Sequence, residues 1–116
     1  MNPEILILIS CLIAVESGGD PEAVGDNGKA IGILQIHDIC IRDVNRIYKT
    51  KYQWPRDARD PKKARYICYL YLSHYGKGKS IEARARIWNG GPRGYKKKAT
   101  LPYWEKVKKI YEEKKR

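Results

Sequence analysis

From Ile5 to Val15 the chain is apolar, broken only by Ser10 and Cys11. The run is too short to cross a bilayer. It is apolar almost all round, so it predicts a central, buried helix. Asn2-Pro3-Glu4 offers a capping side chain, a first-turn proline and an acid, and the helix should run to about Ser17 and end at Gly18-Gly19. The stretch Gly18 to Lys29, rich in Gly, Asp, Asn and Pro, reads as an irregular loop. Gly32 to Ile36 is a short apolar segment. A second helix is expected over Asp38 to Tyr48, with Ile39, Val44, Ile47 and Tyr48 inward.

Thr50 to Arg59 reads as a basic loop holding Trp54-Pro55. Asp60-Pro61 opens a third helix whose apolar face is Ala64, Ile67, Cys68, Tyr71 and Leu72, closed by Gly76. Ser80 caps a fourth helix that ends at Asn89-Gly90-Gly91, and a loop from Pro92 to Ala99 follows. Thr100 starts a last helix carrying Tyr103, Trp104, Val107, Ile110 and Tyr111, whose charged end is expected to fray. The pattern predicts an all-α or mostly α fold with a small β-hairpin near residues 25–36. It contains no repeat or linker, and the 116 residues suit one domain spanning 1–116.

Composition adds constraints. Phe is absent, so nine Tyr and three Trp supply the aromatic surface, which suits a wet groove for sugars or bases. The net charge of +11 attracts polyanions, whether nucleic acid, acidic wall polymers or anionic membranes. Cys11, Cys40 and Cys68 are an odd set with no paired spacing, and read as buried free thiols, with one bridge among them the alternative. With His37 and His74 they form no metal set, so neither a metal nor a cofactor is expected. Gly76-Lys77-Gly78-Lys79-Ser80 is too short for a phosphate-binding loop and reads as a basic turn. No basic residue precedes the apolar run, so no export signal is read there.

The most informative titratable group is Glu16. It falls in the last turn of a buried apolar helix. Burial and the negative end of the helix dipole both disfavour its ionised form. A carboxyl held protonated near neutral pH is what a general acid needs. Taken alone, Glu16 reads more readily as a solvated residue at a helix end.

Its surroundings change that balance. Glu16-Ser17-Gly18-Gly19, Gly32-Ile33-Leu34-Gln35-Ile36, Trp88-Asn89-Gly90-Gly91-Pro92 and Thr100 to Val107 follow one another in order. Together they resemble the lytic transglycosylase and goose-type lysozyme superfamily, from about Ile9 to Val107. The resemblance implies a lysozyme-like fold. It also implies a muramidase that cleaves the β-1,4 bond between N-acetylmuramic acid and N-acetylglucosamine in peptidoglycan, with Glu16 as general acid. It assigns substrate-binding roles to Ser17, Gly32, Gln35, Asn89, Tyr95 and Tyr103. Gly32 would let the backbone approach the groove. The Gln35 and Asn89 amides would bind acetamido and hydroxyl groups, and Tyr103 would orient Glu16. Tyr95 and Trp88 could stack on sugar rings, though Trp88 reads equally as core.

The reaction subtype turns on a second carboxylate. Gly25-Asp26-Asn27-Gly28 resembles the Gly-Asp-x-Gly of goose-type lysozymes, which makes Asp26 a candidate catalytic base; a turn-forming Asp accounts for it as well. A second family Asp is replaced by His37 or displaced to Asp38. An inverting hydrolase holds its carboxyls roughly 6.5–9.5 Å apart, with water between them. A lytic transglycosylase uses its Glu alone and the substrate's own 6-hydroxyl.

Two other readings compete: a basic nucleic-acid-binding helical module, and an inactive wall-binding relative. The first leaves four ordered motifs unexplained, so nucleic acid ranks low as a partner. The expected partners are peptidoglycan strands, with the basic residues Arg93, Lys96, Lys97, Lys98 and Lys114-Lys115-Arg116 drawing the protein to anionic wall polymers or outer membrane. A monomer acting at the cell wall or periplasm is expected, such as a phage lysis or particle protein.

Overall fold

The computed structural model describes residues 1–116. Six helices carry it: α1 (Pro3–Glu16), α2 (Asp38–Tyr48), α3 (Arg56–Arg59), α4 (Pro61–Tyr75), α5 (Ile81–Gly90) and α6 (Leu101–Lys114). Strands β1 (Val24–Gly25) and β2 (Ala30–Ile31) pair antiparallel, with Val24 opposite Ile31 and Gly25 opposite Ala30. A bridge between Ile31 and Ile36 extends this hairpin. The result is the mostly α fold, with the small hairpin, that the pattern predicts. No helix is long and apolar enough to cross a membrane.

The capping residues do what their chemistry suggests. Asn2 Oδ1 accepts from the amides of Glu4 and Ile5, Asp60 Oδ1 from Lys62 and Lys63, and Ser80 Oγ from Ala83. α1 then runs through the interior against α4, α5 and α6. Ile5, Leu8, Ile9, Cys11, Leu12 and Ile13 are buried. Pro3, Glu4 and Ala14 of α1 are exposed as well as Leu6, while the buried residues join Ile67, Leu72, Ile87 and Val107 in one core. Truncating a fully buried leucine such as Leu12 to Ala should cost about 2–5 kcal/mol.

Three local expectations need correction. Ile39 does not face inward; it is 76% exposed, and Ile41 takes the core position with Val44. Residues 56–59 are a short helix rather than loop, because buried Asp57 closes the segment by accepting from the Gln53 amide at 2.7 Å. The segment Pro92 to Ala99 holds 3₁₀ turns at Gly94–Lys96 and Lys98–Thr100. Helix α6 continues to Lys114, with Tyr111 buried against the core. Of the cysteines, Cys11 and Cys68 are buried and Cys40 half-buried, and all three are free thiols.

Candidate active site

α1 ends at Glu16, which forms part of the wall of a cleft of about 480 Å³. Asp26, Gln35 and His37 come from the hairpin side, and Trp88, Asn89, Gly91 and Pro92 from the end of α5. Ile39, Cys40, Asp43 and Tyr71 complete the wall. The outward turn of Ile39 is thus a feature of the cleft: an apolar side chain at its rim. The Trp88 ring meets Tyr71 edge-on, with centroids 5.5 Å apart, so one face of this wall is aromatic.

Glu16 sits in a setting that favours a neutral carboxyl. Burial pushes it up to about 7. The Tyr103 hydroxyl, donating to Glu16 Oε2 at 2.9 Å, acts in the opposite direction by stabilising the carboxylate. The negative charge of Asp26 raises it again. A carboxyl balanced near neutrality can give a proton and take one back.

Asp26 stands at the tip of the hairpin with backbone φ of +50°, followed by Asn27 at +55°. Such left-handed residues outside glycine are uncommon and gather where function constrains the chain. Gln35, also on the cleft, has φ of +51°. The imidazole Nε2 of His37 lies 3.0 Å from Asp26 Oδ2, which fixes the carboxylate against the cleft wall. His37, not a second Asp, is therefore the group beside Asp26.

The other candidates divide. Gln35 lines the cleft, but its Nε2 donates to the carbonyls of Ala23 and Gly32, at 3.1 and 3.0 Å. Only its carbonyl oxygen is left for a ligand. That oxygen lies 2.4 Å from where a Cβ on Gly25 would stand, so a side chain there would displace the Gln35 amide; this contact was not read from sequence. Asn89 lines the cleft and is exposed. Ser17 does not line the cleft. Its hydroxyl donates to the Ile33 carbonyl at 2.8 Å and accepts from the Gly19 amide, tying the end of α1 to the Gln35 segment. Gly32 does not bring backbone to the groove either. It is buried against α3, where a Cβ would meet the Ala58 carbonyl oxygen at 2.1 Å. Tyr95 is not in the cleft wall; Lys79 and Lys96 flank its ring. Tyr103 touches the cleft only through Glu16. No cluster of His, Cys, Asp and Glu has the arrangement to hold a metal ion.

A family model described as the transglycosylase SLT domain matches residues 4–111. A segment of 37 residues is 51% identical to a lysozyme of Magallana gigas, covering 32% of this chain and 27% of that relative. The match thus spans about a quarter of that relative's length. The fold is similar to a chain in the crystal structure of Aeromonas hydrophila PliI in complex with Meretrix lusoria lysozyme. That alignment has a TM-score of 0.76 and 30% identity, and covers 90% of this chain and 88% of the other.

Proposed function

This chain belongs to the transglycosylase SLT domain family, and we propose that it cleaves the β-1,4 bond between N-acetylmuramic acid and N-acetylglucosamine in peptidoglycan. The observation that carries the reading is Glu16, held near neutrality on an open cleft by burial and oriented by Tyr103. As the glycosidic C–O bond breaks, the Glu16 proton passes to the leaving oxygen, and positive charge grows on the anomeric carbon. Asp26, negative and on the same cleft, favours that charge electrostatically. A water attacks the carbon and gives its proton to Asp26, leaving a reducing end. Asn89 and the Gln35 carbonyl hydrogen-bond the sugar's acetamido and hydroxyl groups. The Trp88 wall packs on a ring face.

Two observations support hydrolysis: a second carboxylate on the cleft, and a relative named as a lysozyme. The family's description favours the other outcome, in which the 6-hydroxyl of the muramic residue attacks instead and returns its proton to Glu16. Mass spectrometry of digested, purified peptidoglycan separates them. Reducing ends are expected, with Asp26→Asn losing about a hundredfold in rate, within the usual range for a removed acid–base group. Anhydro ends, with Asp26→Asn still active, would reassign Asp26 to turn formation. Binding without any cleavage would mark the chain as an inactive relative.

A further inference from the structure

Charge is unevenly spread over this molecule. Residues 76–104 hold eight basic side chains and a single acid, Glu82. Glu82 is paired with Arg86 at 2.9 Å. Arg86 also donates to Thr100 Oγ1 and the Lys97 carbonyl, and Lys97 Nζ to the Gly90 carbonyl, so these cations hold the loop together. Lys77, Lys79, Arg93, Lys96 and Lys98 have no acidic partner.

Two of these five converge. Lys79, from the turn between α4 and α5, places its ammonium 4.6 Å from the centroid of the Tyr95 ring, and Lys96 lies 5.5 Å from the same centroid. The ring attracts both cations but neutralises neither. The loop that carries Tyr95 and Lys96 is packed closely on α5: a Cβ on Gly94 would stand 2.1 Å from the Arg86 carbonyl oxygen. An anion at the edge of the Tyr95 ring would draw on both ammonium groups.

Position narrows the class of anion. Gly91 and Pro92 line the cleft, and Lys96 is four residues further on, within about 14 Å by chain reach. A polymer whose sugars lie in the cleft brings its own substituents to this platform. We propose that Lys79, Tyr95 and Lys96 form a site for the carboxylates of the peptide stems that branch from the glycan strand. The assignment rests on the muramidase reading for the identity of the strand. It makes the substrate the stem-bearing, anionic strand rather than glycan alone.

The test uses binding, so it does not depend on turnover. The full chain carrying Glu16→Gln is sedimented with purified wall sacculi at low ionic strength, before and after the stem carboxylates are converted to carboxamides. The same is done with Lys79→Gln and Lys96→Gln added. Amidation should weaken binding of the Glu16→Gln protein about fivefold, as expected for two exposed ion pairs. The triple variant should bind both walls alike. A triple variant that keeps the preference for free carboxylates would overturn the site, as would a Glu16→Gln protein that binds both walls equally. Duplex DNA captured through Lys79 and Lys96, with no response to amidation, would overturn it in favour of a nucleic-acid surface. Wild-type protein that fails to cut the wall in parallel would count against the muramidase reading alone.

Discussion

Tyr103 donates its hydroxyl hydrogen to Glu16 Oε2 at 2.9 Å, across 87 positions of sequence. The bond joins α6 to the last residue of α1 and bears on both the direction of the carboxyl and its charge. The donor favours the carboxylate, while burial favours the neutral acid and wins.

Removing that donor gives the first prediction. Tyr103→Phe should raise the Glu16 carboxyl further, so the alkaline limb of the pH–rate profile moves to higher pH. The loss of orientation should lower the rate about tenfold. A rate that falls with the limb unmoved would mean that Tyr103 merely packs.

Glu16 should also make stability depend on pH. Its folded value, about 7, lies above the ordinary 4.5, so the folded state favours the protonated form. That contribution is fully present below pH 4.5 and is lost as pH rises through about 7. The wild type should lose up to about 3 kcal/mol over this window in urea unfolding. Glu16→Gln should show no such loss and be the more stable protein at pH 8. Parallel pH curves for the two proteins would contradict the buried setting.

Asp57 has the opposite sign. Arg56 beside it, the Gln53 amide and Lys63 hold its carboxyl down to about 2, against an ordinary 3.8. Its contribution is present above pH 3.8 and lost as pH falls through about 2. Asp57→Asn should cost about 2 kcal/mol at pH 7 and almost nothing near pH 2, measured by urea unfolding. A cost independent of pH would remove the charge argument.

The fold was legible where a local rule and the core agree. Asn2, Asp60 and Ser80 are caps in sequence and in structure. It was not legible where function turns a residue outward. Ile39, Ile41 and Val44 fit more than one helical face, and only the cleft beside α2 explains why Ile39 is the exposed one. Asp57 gave no signal because its partners come from three places, the turn at Gln53, Arg56 of α3 and Lys63 of α4, in a stretch that sequence reads largely as loop. At the site, Glu16 could be argued from one helix, but Tyr103 entered only through resemblance, since no periodicity links residues so far apart. Gly32 was noticed for its type and given the wrong neighbour: it faces Ala58, not the groove.

That glycine is itself testable. Gly32 has φ of +81° and backbone in the space of a Cβ, whereas Gly28 has φ of +91° and open space around it. Gly28→Ala should cost about 1 kcal/mol, from the left-handed conformation alone. Gly32→Ala should cost at least about 3 kcal/mol, because steric conflict is added to that conformational strain. Equal costs by thermal or urea unfolding would show that the Ala58 contact does not constrain the loop.

The most direct measurement is cleavage of purified peptidoglycan by the wild type and by Glu16→Gln, at pH 6 and at equal concentration, with circular dichroism to verify both folds. The wild type should release glycan fragments. A fully folded Glu16→Gln should lose at least about a thousandfold in rate, since the amide can still fill the site but has no acidic proton to transfer. A folded Glu16→Gln protein that cuts the wall at close to the wild-type rate would contradict the assignment of Glu16 as proton donor.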